Sequence, residues 1–193
     1  MDRKNIFIAE HEPKELEKMR QYIADSEYTI LDYAADGPNA IRQIRTVHPD
    51  LVVVDFDLPV TGGLEIAKIA EEDHIAPALV IVSMSQSAFV DISGEQWDFA
   101  YITKPFSKTE FLQAIHLVTI SYKRITKLEE EVAKLKNDLE IRKDIEKAKG
   151  ILMDVLKLSE KEAFRKMQKQ SMDKGIPMRE IAKAIILTYE TQK

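Results

Sequence analysis

No cysteine occurs among the 193 residues, which removes disulfides, thiol nucleophiles and cysteine-ligated metals and fits a reducing compartment. Long apolar runs are missing too. None approaches the ~18 residues of a membrane span, and Met1-Asp2-Arg3-Lys4 leads into a short strand-like run rather than a signal peptide. The cytoplasm is therefore the expected location, with no membrane partner. Glycine and proline are scarce, and neither occurs between Phe106 and Lys149, so that stretch reads as one helical pattern. The lone Trp97 is expected to pack beneath a loop. His48, His74 and His116 lack partners at metal-ligand spacing and carry no site.

Charge of one sign is also lacking, locally. Residues 1–122 hold 10 basic and 20 acidic side chains, a net of −10, whereas residues 123–193 hold 18 and 13, a net of +5. The two parts face different partners. The excess of positive charge on the basic part is compatible with a phosphate backbone.

Five short apolar runs recur in the acidic part: Asn5 to Ala9, Thr29 to Ala35, Leu51 to Asp55, Ala78 to Ser83 and Phe99 to Thr103. Helical patterns lie between them, such as Leu16, Met19 and Ile23 behind Pro13. Leu51-Val52-Val53-Val54 is apolar at every position, as expected of a strand covered on both faces. Alternating strands and helices predict an α/β domain with a five-stranded parallel sheet. Reactive groups in such sheets lie just beyond the carboxyl ends of the strands.

Farther on, Ile125, Leu128, Val132, Leu135 and Leu139 follow 3,4,3,4 spacing, the seam of a two-stranded coiled coil. Ile145, Ala148, Leu152 and Val155 keep that spacing in a shifted phase, which marks a junction between Leu139 and Ile145. A continuous helix from Ile120 to Leu156 would span about 55 Å at ~1.5 Å per residue. Ser159-Glu160-Lys161-Glu162 has capping-box spacing and opens a second helix with Ala163, Phe164 and Met167 on its apolar face, closed by Gly175. Pro177 starts a third, with Met178, Ile181, Ala182, Ile185 and Ile186 on one side. Three helices predict a small all-α bundle, with Ile151, Leu152, Met153, Phe164 and Met167 expected in its core.

At the ends of the five strands stand Glu10-His11, Asp55-Phe56-Asp57-Leu58-Pro59, Ser83, and Tyr101 ahead of Lys104-Pro105-Phe106. Together with Gly63, this set resembles the receiver domain of two-component response regulators, a flavodoxin-like doubly wound fold, over roughly residues 3–122. The resemblance implies that Asp55 is the carboxylate nucleophile accepting a phosphoryl group from a histidine kinase. It also implies a Mg²⁺ held by Glu10, Asp55 and Asp57, a phosphoryl contact from Lys104 and Ser83, and a switch role for Tyr101. Receivers carry two adjacent acids after the first strand, but here the second is His11. Imidazole in place of a carboxylate is expected to weaken a Mg²⁺ site, since that ion prefers hard oxygen ligands.

In the basic part, Ala148-Lys149-Gly150-Ile151-Leu152-Met153 and Ala163-Phe164 resemble the ANTAR output domain of transcription antitermination regulators, over about residues 140–190. Gly150 sits inside a helical pattern at a cost of roughly 1 kcal/mol against alanine, which points to close packing or a close-approaching partner. Lys143 and Lys147, Arg165 and Lys169, and Arg179 and Lys183 are i,i+4 pairs off the apolar stripes, extended by Lys149, Lys166 and Gln170. These residues are the expected RNA-binding surface.

The domains are accordingly read as a receiver at 1–122, a coiled-coil linker at 123–141 and an ANTAR domain at 142–193. The resemblance implies a homodimeric antiterminator: Asp55 phosphorylation promotes dimerisation, and paired bundles hold stem-loop RNA in transcript leaders so that the terminator cannot form. No catalytic turnover is expected beyond the receiver's own phosphorylation and dephosphorylation. Two alternatives are an atypical receiver controlled by a partner protein and a DNA-binding regulator using the turn Lys174-Gly175-Ile176-Pro177.

Overall fold

Val52, Val53 and Val54 alternate between two cores, because successive side chains of a strand point to opposite faces. A computed structural model describes residues 3–87 and 99–190; Trp97 lies outside them. It divides into two units, Met1–Ile125 and Thr126–Lys193.

The first unit contains β1 (Lys4–Ala9), α1 (Pro13–Ala24), β2 (Tyr28–Ala34), α2 (Gly37–Val47), β3 (Leu51–Asp55), α3 (Gly63–Glu72), β4 (Ala78–Val82), β5 (Ala100–Thr103) and the start of α4 (Lys108–Leu156). The strands form one five-stranded sheet, ordered β2-β1-β3-β4-β5, with every pairing parallel. Every residue of β3 and β4 is buried. On one face Phe7, Val52, Val54, Val80 and Val82 pack on Ile44 of α2 and Ile66 of α3. On the other, Ile6, Ile8, Val53 and Ile81 pack on Met19 of α1 and on Phe111 and Ile115 of α4. The strand order reverses between β1 and β3, which is where a doubly wound sheet opens its crevice.

Local chemistry sets the helix starts. Asp36 accepts a hydrogen bond from the Asn39 amide at 2.9 Å and caps α2. Ser107 and Glu110 exchange bonds at the start of α4, the Ser107 amide donating to Glu110 at 2.7 Å. Gly63 is required by space, since a Cβ there would lie 2.1 Å from the Asp55 carbonyl oxygen. That contact seats the first turn of α3 against the end of β3.

α4 runs unbroken for 49 residues. The expected junction between Leu139 and Ile145 is thus a change of face without a break in the backbone. Ile125, Leu128, Val132, Leu135 and Leu139 are 48–59% exposed, whereas Ile145, Ala148 and Leu152 turn into a core shared with α5 (Glu160–Lys174) and α6 (Met178–Glu190). Ser159 and Glu162 form the capping box, and Gly175 ends α5 at φ 64°. Ala163, Met167, Ile181 and Ala182 complete that core. Phe164 does not join it: the residue is 43% exposed, because one residue's 100° rotation from Ala163 carries it off the stripe that Ala163 and Met167 define. Among the described residues no helix is long and apolar enough to cross a membrane.

Candidate functional site

The carboxyl ends of β1, β3 and β5 bring Glu10, Asp55 and Lys104 together. Glu10 follows β1, with its amide bonded to the Ala34 carbonyl at 3.0 Å, and its side chain is fully enclosed. Asp55 closes β3 and is 3% exposed. Lys104 follows β5, held by its amide to the Val82 carbonyl at 2.7 Å, and its peptide bond to Pro105 is cis. The Lys104 ammonium pairs with Asp55 Oδ2 and lies 3.6 Å from Glu10 Oε2.

These charges explain one another. Burial raises the Glu10 pKa, and the neighbouring Asp55 charge adds to that, against the opposing Glu12 amide and Lys104. Burial would lower the Lys104 pKa, yet the hydrogen bond and charge of Asp55, with Glu10 behind them, outweigh it and the pKa is raised. A half-buried lysine between two acids is a charged clamp, and anything anionic added to Asp55 meets it directly.

Asp55 Oδ1 accepts from the Asp57 amide at 2.8 Å. Asp57 itself is turned toward Gln86, whose Nε2 donates to Oδ2 at 2.7 Å. Gln86 Oε1 accepts from the Ser83 amide at 2.7 Å, and the Ser83 and Ser85 hydroxyls lie 3.0 Å apart. Gln86 thus ties the Asp57 loop to the Ser83 loop, a link the sequence reading missed; its only signal was a position three residues past Ser83 in a helical turn. Tyr101 stands on edge strand β5, 37% exposed.

A divalent ion can be tested against the donors present. Glu10, His11 and Asp55 each offer an atom, all within 4.8 Å of one another. Glu10 Oε2, which faces the Lys104 ammonium at 3.6 Å, and His11 Nδ1 are buried without a hydrogen-bond partner, which leaves lone pairs for a cation. The Asp57 side chain is not in this cluster. The donors fit a divalent cation, with imidazole as one of them.

In the second unit the expected basic surface separates into two kinds. Lys147 pairs with Glu190 at 2.7 Å, Lys143 with Glu140 at 3.0 Å and Lys183 with Glu180 at 3.5 Å. Arg179 bonds Asp144 at 3.0 Å and Asn137 at 2.8 Å, and so ties α6 to α4. Lys149 departs most from a surface role: it is 8% exposed and bridges Glu146 and Glu160 at 2.7 Å each. Those bonds raise the Lys149 pKa and lower that of Glu160. Lys161, Arg165, Lys166 and Lys169 on α5 are exposed and form no ion pair among the described residues. Exposed Phe164 lies among them, and Gln170 is half-buried. A Cβ built on Gly150 would meet nothing within 4 Å, so packing among the described residues does not account for that glycine.

A five-stranded parallel sheet carrying an aspartate, a buried acid and a lysine at its crevice defines the receiver class. The response regulator receiver domain model matches residues 6–116, and the ANTAR domain model matches residues 133–186. The transcriptional regulatory protein PdtaR of Mycobacterium tuberculosis is 33% identical over 98% of this chain and 93% of its own length. The chemotaxis protein CheY of Halobacterium salinarum is 32% identical over 48% of this chain and 78% of its own. A signal receiver domain of an HD domain-containing protein from Pseudomonas fluorescens shares the fold with a TM-score of 0.58, at 18% identity over 66% of this chain and 94% of its own. The chain belongs to the two-component response regulators that join an N-terminal receiver to a C-terminal ANTAR domain.

Proposed function

We propose that this response regulator is a transcription antiterminator that binds stem-loop RNA as a dimer. The observation that carries the reading is the face of α5, where Arg165, Lys166 and Lys169 stand free of ion pairs beside exposed Phe164, within the ANTAR match. Structured RNA is held through its phosphates and by stacking of unpaired loop bases on aromatic rings. Free cations and a bare ring supply both contacts from one helix.

On the input side, Asp55 is the phosphoryl acceptor, its carboxylate attacking phosphorus while the kinase histidine leaves. Lys104 already faces the Asp55 oxygen and would neutralise the incoming charge, and the Ser83 hydroxyl would take a second phosphoryl oxygen. Glu10, His11, Asp55 and the Asp57 backbone carbonyl are the groups that would hold a divalent cation, which supplies charge neutralisation during transfer. Phosphorylation shifts a pre-existing equilibrium toward the dimer, with Tyr101 and the Ser83–Gln86 loop as the responsive elements.

The dimer forms along the exposed seam of α4. Ile125, Val132 and Leu139 take one seam position and Leu128 and Leu135 the other, the β-branched and leucine distribution favoured by parallel pairs. Arg124, Glu131 and Asp138 flank the seam on one side, and Glu129, Lys136 and Lys143 on the other. In a parallel in-register pair each of the first set meets, five residues on, an opposite charge of the second. Two tethered bundles then engage two RNA hairpins with raised effective concentration, and an RNA held in that form cannot refold into the terminator.

His11 favours one second reading, in which a partner protein sets the dimer equilibrium instead of phosphorylation. The DNA-binding alternative is disfavoured, because Arg179 and Lys183 after Pro177 are both engaged by acidic groups. Gel shifts of hairpin RNA against duplex DNA across a salt series test the output. Preference for duplex DNA would refute it.

A further inference from the structure

The pocket beyond β1 and β3 differs from an all-carboxylate cation site at one atom, and that atom is placed to bind. The Glu12 amide holds Glu10 Oε1 at 2.8 Å, leaving Oε2 enclosed and without a hydrogen bond. His11 Nδ1 is also buried and without one, 3.5 Å from Glu10 Oε1. With Asp55 these donors lie within 4.8 Å of one another, and a small inward movement brings them to the ~2.1 Å metal–ligand distance of first-row divalent ions. Lys104 shows that the spot already draws a positive charge.

Donor chemistry then selects the ion. Mg²⁺ demands oxygen ligands, sheds water reluctantly and gains little from imidazole. Manganese, cobalt and zinc dications accept carboxylate and imidazole together, and bind mixed nitrogen and oxygen sites more tightly in that order. The pocket has one carboxylate fewer than a site with two adjacent acids, which removes charge that Mg²⁺ depends on most.

We propose that Glu10, His11 and Asp55 form a mixed carboxylate–imidazole site that takes a transition-metal dication in preference to Mg²⁺, with His11 Nδ1 as a ligand. The inference rests on reading this crevice as a receiver pocket, but its test reads metal binding alone.

Calorimetric titration of the full chain with MnCl2 and with MgCl2 should show manganese binding at least tenfold tighter. His11→Asp should bring the two affinities to within about threefold, chiefly by tightening Mg²⁺. Electron spin echo modulation of bound Mn²⁺ should show a nitrogen coupling that disappears in His11→Gln and in His11→Asp, while variants of the exposed His48 and His74 keep it. Equal affinities in the unaltered chain, or a nitrogen-silent Mn²⁺ signal, would overturn the assignment. Phosphoryl transfer from acetyl phosphate is followed separately by gel mobility. Its failure beside intact nitrogen-coordinated manganese would sink the phosphorylation reading and leave the metal site standing.

Discussion

Reversing the charge at Glu131 should weaken the dimer, and reversing Lys136 in the same chain should restore it. Both side chains are exposed and form no ion pair within the chain among the described residues, so no internal partner buffers the change. In a parallel pair Glu131 of each helix faces Lys136 of the other, twice by symmetry. An exposed helical ion pair is worth about 0.2–0.5 kcal/mol, and a like-charge pair costs about the same. Glu131→Lys turns two attractions into two repulsions, a change of about 1–2 kcal/mol, or roughly 5- to 30-fold in dimer Kd. Lys136→Glu should do the same by opposing Glu131, and the double variant should return within about twofold of the original. Sedimentation equilibrium at low salt reads all four proteins, and the differences should shrink as salt is added. Two weakened single variants with an equally weakened double variant would refute the parallel in-register pairing.

Gly150→Ala should stabilise the second unit by about 0.5–1 kcal/mol in urea melts, since the new methyl meets open space and alanine favours the helix; hairpin affinity should fall if that bare backbone is where RNA comes close. Gly63→Ala should act oppositely on the receiver: a methyl 2.1 Å from the Asp55 carbonyl forces α3 off β3, lowering stability by about 1–3 kcal/mol and slowing acetyl phosphate transfer. Burial pushes the Tyr28 pKa up to about 12. Because the folded value exceeds the unfolded one near 10, stability from the neutral phenol is full below pH ~10 and is lost as pH climbs toward 12; alkaline melts of Tyr28→Phe should lack that loss.

The strands were legible because a sheet covered on both faces leaves unbroken apolar runs, and β3 and β4 have no exposed residue. The pocket was legible for a related reason, since strand ends in a parallel sheet converge at one crevice and Glu10, Asp55 and Lys104 each stand at the end of a strand. Gln86 was hidden because its role depends on a loop crossing to Asp57, 29 residues away. Which cations stay free was hidden in the same way: Lys147 finds Glu190 across 43 residues and Arg179 finds Asp144 across 35. Spacing alone gave Lys147 and Arg165 equal standing, and tertiary contacts separate them. Phe164 was misplaced because an apolar residue beside a helical stripe looks like part of it, whereas on α5 the buried residues are Ala163 and Met167.

Hairpin RNA binding by the full chain, measured at fixed salt, tests the output most directly. Replacing Arg165, Lys166 and Lys169 together by alanine should lower affinity at least a hundredfold and flatten its salt dependence, while Lys143→Ala with Lys183→Ala should change it by less than about threefold. Unaltered affinity in the triple variant, with its helical content intact, would contradict the assignment of the α5 face as the RNA-binding surface.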